Sequence, residues 1–234
     1  MDEFRVFGHR GVAGHHPENT RVSIEAAIAL ELKWIEVDIR HVDGELIVFH
    51  DRRLERLCNK IGSIDNLKAA DLKKLRVLGQ PLLTLNELIN LLPTTMGVNL
   101  EIKGLGTAEP LCEFLKEKLN NQSIQPAQLL LSSFDHEQLF TCKQLLPNIS
   151  RGLLILGVHL SLDAKIEALE PDSVHQSIDY LEKELVMQCH LLGKKLFVYT
   201  VNTEDDIECV MQMGVDGVFS DYPERVLAYL KKHA

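Results

Sequence analysis

The chain has 234 residues, of which 45% are hydrophobic and 25% charged, as expected for one soluble globular domain. Its 25 Lys and Arg residues against 34 Asp and Glu residues give a net charge of −9, which argues against nucleic acid or an anionic membrane as a partner. The longest apolar runs, 46–49 and 153–156, are far too short to cross a bilayer, so no stable membrane insertion is expected.

The first part of the chain predicts two strands, a helix and a tight hairpin. The elements before the hairpin are a strand over 4–8, a helix over 20–32 and a strand over 33–40. The dipeptide Asp43-Gly44 then separates two apolar runs, which is a strong hairpin signal. Residues 45–50 should therefore return antiparallel to the second strand, which places Phe49 opposite Asp38.

The rest of the chain alternates strands with helical segments. Thr84 and Glu87 have the spacing of a capping box, which predicts a helix over 85–92. Six more strands are predicted, over 98–103, 129–133, 149–155, 172–176, 195–201 and 217–221. Without the hairpin strand, eight β units alternate with helices, which favours a parallel (β/α)₈ TIM barrel over an open doubly wound sheet. No G-x-G-x-x-G follows the first strand, which argues against dinucleotide binding.

Polar side chains stand at the ends of the early strands, where a barrel carries its chemistry. They are His9 and Arg10 after the first strand, Glu36 and Asp38 on the second, His50 and Asp51 after the hairpin, and Glu101 and Lys103 on the third. Residues two apart on a strand share a face, so each carboxylate pair or ion pair points to one side.

Three clustered carboxylates would repel one another in a cleft unless a cation lay between them, and an all-oxygen ligand set favours Mg²⁺ or Ca²⁺. Two histidines beside such an ion can share general acid and general base roles near neutral pH. Arg10 and Lys103 would supply positive charge for an anionic group such as phosphate. The pattern alone therefore leaves two interpretations open: a metal-dependent hydrolase or lyase, or simply ion-paired strand ends.

A set of short motifs makes the chain resemble the glycerophosphodiester phosphodiesterase family from Phe4 to Pro223. In chain order these motifs are His9-Arg10-Gly11, Pro17-Glu18-Asn19-Thr20, Glu36-Val37-Asp38, Asp43-Gly44, His50-Asp51, Glu101-Ile102-Lys103, and the two C-terminal segments 198–202 and 214–223. The resemblance implies a (β/α)₈ barrel that hydrolyses glycerophosphodiesters to sn-glycerol 3-phosphate and an alcohol. It also implies one domain over 1–234, with residues 52–81 as a small insertion.

The resemblance also implies roles for individual residues. The metal ligands would be Glu36, Asp38 and Glu101, the acid–base pair His9 and His50, and the contacts to phosphate or the metal shell Arg10 and Lys103. Tyr199 stands where the family generally has tryptophan, and its ring is expected to line the glycerol pocket. His175, at the end of the sixth predicted strand, is a further candidate for substrate contact, beside the alternative that it packs at the barrel lip.

Two rival functions remain open at this level. A lysophospholipase D or phospholipase C-like enzyme would act on lipid phosphodiesters, and a degenerate barrel would only bind phosphate or metal. The expected binding partner is a small glycerophosphodiester substrate. The sequence leaves open whether the chain forms a homodimer. Five scattered cysteines without a C-x-x-C, and the acidic opening Met1-Asp2-Glu3 in place of a signal peptide, predict a cytoplasmic protein.

Overall fold

Eight parallel strands close into a barrel within residues 4–157 and 161–233, the part of the chain that the computed structural model describes. The acidic opening 1–3 lies outside these residues. The described strands are β1 (Arg5–Gly8), β2 (Trp34–Val42), β3 (Glu45–Val48), β4 (Arg76–Val77), β5 (Gln80–Pro81), β6 (Gly97–Ile102), β7 (Leu129–Ser133), β8 (Ser150–Ile155), β9 (Ser173–Ser177), β10 (Lys195–Tyr199) and β11 (Gly217–Ser220). Around the barrel the order is β1, β2, β6, β7, β8, β9, β10 and β11, closed because β1 pairs with both β2 and β11. The predicted TIM barrel is confirmed.

A helix covers the outside of the barrel after each of these eight strands. Two further helices, of four residues each, lie in the insertion over 52–81. The described helices are α1 (Arg21–Ala29), α2 (Glu55–Cys58), α3 (Ala69–Leu72), α4 (Leu85–Leu91), α5 (Ala108–Asn120), α6 (His136–Leu145), α7 (Leu162–Leu169), α8 (Lys183–Leu191), α9 (Glu204–Met213) and α10 (Pro223–Lys232). The predicted capping box of α4 is present, since Thr84 accepts from the Glu87 N–H at 3.2 Å and Glu87 accepts from the Thr84 N–H at 2.9 Å. None of the described helices has the length and hydrophobicity needed to cross a bilayer.

The hairpin forms with the predicted register. Val42 pairs with Glu45 across the Asp43-Gly44 turn, and β3 lies antiparallel to β2 outside the barrel. The Phe49 N–H donates to the Asp38 carbonyl at 2.9 Å, as predicted. His50 is thereby carried to the C-terminal end of the barrel, beside the acidic residues of β2.

The insertion folds on the hairpin around a small core of its own. It contains α2, α3 and the two-stranded ribbon β4–β5, none of which the sequence predicted. Phe49 of the hairpin is fully buried against Leu57 and Leu75 of the insertion in one apolar cluster. This core holds α2 in place next to the barrel mouth.

Aromatic side chains fill the barrel below its C-terminal end. The Phe7 ring stacks on Phe219 with centroids 4.4 Å apart and meets the edge of Phe197 at 5.1 Å. Gly152 on β8 lets a further ring into this layer, because a Cβ there would lie 2.3 Å from the imidazole of His175. This apolar layer therefore closes the barrel interior below the polar residues at its C-terminal end.

Candidate active site

The three predicted metal ligands lie together at the C-terminal end of β2 and β6. Asp38 pairs in register with Glu101, and Glu36 shares the inward face of β2 with Asp38. One carboxylate oxygen from each residue lies within 4.8 Å of the other two, and all three side chains are buried. The adjacency of two strands thus assembles a set of oxygen ligands from two short motifs.

The electrostatics of this acidic cluster suit a bound cation. Burial, together with the charges of Asp38 and Glu101, raises the pKa of Glu36 well above its ordinary value. The Glu36 Oε1 atom is buried and has no hydrogen-bond partner among the described residues. A buried carboxylate that resists ionisation and has an unpartnered oxygen is stabilised by a hard cation, so these donors fit Mg²⁺ or Ca²⁺.

Two cationic side chains border the acidic cluster. Lys103 Nζ contacts the Glu101 carboxylate and lies 3.4 Å from Asp38 Oδ1, while Arg10 Nε lies 3.4 Å from Asp38 Oδ2. Burial by itself raises the pKa of Asp38, but these two cations outweigh it and hold that pKa below its ordinary value. Burial disfavours the charged form of Lys103, yet Asp38 and Glu101 raise its pKa, so the side chain stays protonated. Positive charge is therefore available next to the acidic cluster.

His9 is held by a carboxylate from the last strand of the barrel. Its Nδ1 lies 2.7 Å from Asp221 Oδ1, directly after β11, and its Nε2 lies 3.9 Å from Glu36 Oε2. Asn202 donates from Nδ2 to the other Asp221 oxygen at 2.8 Å, which fixes that carboxylate. Because the carboxylate accepts from Nδ1–H, Nε2 is the ring nitrogen that faces the acidic cluster.

His50 is also held by a carboxylate. Its Nδ1 lies 2.6 Å from Asp51 Oδ1, so the neighbouring carboxylate orients this ring as well. Burial lowers the pKa of His50 below its ordinary value, although the nearby Asp38 charge opposes this effect. The imidazole is therefore neutral near pH 7, with Nε2 free to accept a proton.

Asn19 is a site residue that the sequence interpretation missed. Thr20 takes the N-cap position of α1 but makes no side-chain cap bond. Asn19 instead is fully buried and donates from Nδ2 to Asp38 Oδ2 at 2.7 Å. Its φ of 58° lies in the left-handed region, which asparagine tolerates better than most residues. Asn19 therefore helps to fix the orientation of a proposed metal ligand.

A cavity of about 250 Å³ opens between the two histidines. Its lining combines both histidines and several charged side chains of the site with Phe134, Leu156 and Tyr199. The Tyr199 hydroxyl donates to the Ile155 carbonyl at 2.7 Å, so the ring faces the cavity while the hydroxyl is engaged with the backbone. Tyr199 therefore lies in the wall of this cavity, and its contact with glycerol stays a prediction.

His175 occupies a different place from the strand end that the sequence predicted. It lies in the middle of β9, fully buried, where its ring contacts Phe197 and Phe219 at centroid distances of 5.5 and 5.1 Å. Ser173 Oγ lies 2.8 Å from Nε2, and Nδ1 has no partner among the described residues. His175 therefore lines the deep end of the cavity and does not pack at the barrel lip.

The burial of His175 predicts an acid-sensitive fold. Burial, with a smaller effect from Arg5, lowers the pKa of His175 from 6.5 to about 3. The unfolded chain therefore binds a proton that the folded chain excludes, so stability present above pH 6.5 is lost as the pH falls toward 3. We expect His175→Leu to reduce the pH slope of the unfolding free energy by about 1.4 kcal/mol per pH unit in that window. Urea unfolding at several pH values measures this slope, and His16→Leu, at an exposed position, is the control. An unchanged slope in His175→Leu would contradict the lowered pKa of His175.

Comparison with known proteins identifies the family. A sequence model of the glycerophosphoryl diester phosphodiesterase family matches residues 9–225. A glycerophosphodiester phosphodiesterase of Bacillus subtilis is 31% identical, over 95% of this chain and 85% of its own length. One from Caldanaerobacter subterraneus subsp. tengcongensis is also 31% identical, over 97% of this chain and 98% of its own.

The solved structures agree with the sequence comparison. A phosphodiesterase of Oleispira antarctica, solved in complex with the product sn-glycerol-3-phosphate, superposes with a TM-score of 0.89 and 30% identity. The match covers 97% of this chain and 96% of the other. The barrel, the motifs at its strand ends and these relatives lead to one conclusion: the chain belongs to the glycerophosphoryl diester phosphodiesterase family and is a phosphoric diester hydrolase.

Proposed function

We propose that the protein hydrolyses small glycerophosphodiesters to sn-glycerol 3-phosphate and an alcohol by two-histidine acid–base catalysis at a site that holds one Mg²⁺ or Ca²⁺. The observation that carries the proposal is the meeting, at one cavity, of a buried three-carboxylate cluster and two carboxylate-paired histidines. The complex of the Oleispira antarctica relative with sn-glycerol-3-phosphate supports the choice of substrate.

Glu36, Asp38 and Glu101 would hold the cation, and Asn19 would keep the Asp38 carboxylate turned toward it. When bound, a divalent cation offsets charge on the phosphate and lowers the pKa of an adjacent hydroxyl. The chain's own cations add to this effect. Lys103 and Arg10 border the acidic cluster and would stabilise the negative charge that accumulates on the phosphoryl oxygens.

The two histidines would transfer the protons. One removes the proton from the glycerol hydroxyl next to the phosphodiester, and that oxygen attacks phosphorus. The P–O bond to the alcohol breaks, and the other histidine protonates the departing oxygen. Water then opens the cyclic glycerophosphate while the histidines exchange roles. Asp51 and Asp221 would keep each Nδ1–H engaged, so that Nε2 of His50 and of His9 carries the transferred proton.

The deep end of the cavity would recognise the glycerol group. His175 Nδ1 and Asn99 Oδ1 line the cavity, are buried, and have no hydrogen-bond partner in the described part of the chain. Both atoms can accept a hydrogen bond, and a glycerol hydroxyl can donate one. The Tyr199 ring would pack against the carbon chain from the side. The sequence pointed to His175 and Tyr199 as substrate contacts but missed Asn99.

This mechanism predicts that the glycerol group, and not the alcohol, sets specificity. A diester that lacks the vicinal hydroxyl removes the attacking group and leaves a histidine without its partner, which is expected to cost several kcal/mol, about 10²-fold or more in kcat/KM. The choline, ethanolamine and glycerol esters should differ from one another by less than that. The measurement is kcat/KM for glycerophosphocholine against a matched diester without the vicinal hydroxyl. Equal values would contradict the cyclic route and favour direct attack by water.

One observation favours a second candidate, hydrolysis of lysophospholipids. Phe134 and Leu156 line the cavity and are 42% and 60% exposed. Apolar side chains at a cavity mouth suit an acyl chain as well as a wall for glycerol. The same kinetic assay with lysophosphatidylcholine in place of glycerophosphocholine distinguishes the two functions, since only the second predicts the higher kcat/KM for the lipid.

The cellular context stays a prediction. All the cysteines of the chain, Cys58, Cys112, Cys142, Cys189 and Cys209, are free thiols, which supports the proposed cytoplasmic location. The homodimer likewise stays an open alternative from the sequence. Size-exclusion chromatography with light scattering would measure the assembly directly.

A further inference from the structure

One arginine of the insertion joins two carboxylates at the edge of the active site. Arg56 lies in α2, and its side chain is 50% exposed. Its Nε and Nη2 donate to the two oxygens of Asp51, both at 2.8 Å. Its Nη1 and Nη2 donate to the two oxygens of Glu18 at 2.6 and 2.8 Å. The guanidinium thus makes two paired contacts at once, a geometry that its planar fork allows and a lysine cannot reproduce.

Each of the two carboxylates holds a residue of the proposed machinery. Asp51 Oδ1 lies 2.6 Å from Nδ1 of His50, the proposed acid–base residue. Glu18 Oε1 accepts from Nη1 of Arg10 at 2.5 Å, and Arg10 in turn borders the acidic cluster. Arg56 is therefore linked through Asp51 to His50, and through Glu18 to the Arg10 guanidinium beside the acidic cluster.

The fold fixes where Arg56 stands. Its neighbour Leu57 is buried in the apolar core that the insertion shares with the hairpin, so α2 cannot shift without disrupting that core. Nearby Arg53 offers a contrast, because it is 53% exposed and pairs only with Glu55 among the described residues. Arg56 thus reaches the edge of the site, while Arg53 stays at the surface.

Arg56 also favours the ionised form of Asp51. Its hydrogen bonds to Arg56, ahead of the bond to His50, lower the pKa of Asp51 to about 2. The carboxylate therefore stays ionised and remains an acceptor for the histidine N–H at every pH at which the enzyme would work. Without Arg56, both Asp51 and Glu18 would lose the donor that keeps them in one orientation.

We propose that Arg56 is a positioning residue, which holds Asp51 against His50 and Glu18 against Arg10, so that the insertion completes the active site. This inference rests on the proposed function, in which His50 transfers a proton. It assigns a role in the active site to one residue of the insertion over 52–81.

The test is kinetic, with a chemical rescue. Arg56→Met is expected to lower kcat/KM for glycerophosphocholine about 10- to 100-fold, the usual effect of losing a group that orients an active-site residue. Arg56→Lys should recover only part of this loss. About 50 mM guanidinium chloride, far below the molar concentrations that unfold proteins, should restore activity to Arg56→Met by occupying the half-exposed position. Arg53→Met is the matched control and should stay within about twofold of the unaltered protein, with no response to guanidinium.

The possible results distinguish a failure of the positioning role from a failure of the proposed function. Arg56→Met with normal kinetics, alongside an inactive His50→Ala, would overturn the positioning role and leave the proposed function standing. A loss of activity in Arg56→Met that guanidinium does not relieve would also overturn it, since a general effect on folding is not rescued in this way. Normal activity of His50→Ala would instead overturn the proposed function itself.

Discussion

Removing divalent cations with a chelator is expected to abolish the hydrolysis of glycerophosphocholine, and adding Mg²⁺ or Ca²⁺ is expected to restore it. The physical reason is the buried cluster of Glu36, Asp38 and Glu101, whose mutual repulsion burial intensifies. Because charge stabilisation by a metal ion is worth several kcal/mol, the loss of rate should reach about 10²- to 10⁴-fold.

Glu36→Gln tests the same site without a chelator. The change keeps the shape of the side chain but removes a charged ligand, so both cation affinity and most turnover should be lost. The free energy of unfolding should rise with Mg²⁺ or Ca²⁺ concentration in the unaltered protein and not in this variant. Calorimetric titration and thermal unfolding measure the two effects, with exposed Glu117→Gln as the matched control. Full activity in excess chelator would contradict the metal site.

The parts of this site that the sequence predicted depend on short-range rules. Glu36 and Asp38 share a face because they are two apart on one strand, and Glu101 joins them because the next barrel strand lies alongside in register. His50 could be placed because the Asp43-Gly44 turn sets the hairpin register from a two-residue signal. Each step needs only the strand period and the order of strands in a barrel.

The residues that the sequence did not predict depend on closure of the barrel and on packing. Asp221 is 212 positions away from His9 and meets it only because the last strand pairs with the first. Arg56 reaches the site through an insertion whose elements have four residues or fewer, too short to show a periodic pattern. For His175, which the sequence did single out, only the position in the strand differs, because β9 ends at Ser177, one residue beyond the predicted strand over 172–176.

The histidines carry the last prediction. His9→Ala and His50→Ala should each lower kcat about 10²- to 10⁴-fold, the range expected for a general acid or base. Both side chains lie at the barrel mouth, paired with Asp221 and Asp51, and neither belongs to the apolar core, so both variants should fold. They should also retain stabilisation by Mg²⁺ or Ca²⁺, because no proposed metal ligand is altered.

That combination, lost turnover with retained cation binding, distinguishes the histidines from Glu36. His15 and His16, which are exposed in the loop after β1, provide the controls, and His15→Ala and His16→Ala should change kcat by no more than about twofold. The readout is the release of sn-glycerol 3-phosphate from glycerophosphocholine at saturating substrate, beside a thermal unfolding curve with and without the cation. If His9→Ala or His50→Ala kept near-normal turnover, proton transfer would have to be assigned to another group. If either variant lost its response to the cation, the histidine would act in metal binding and not in proton transfer.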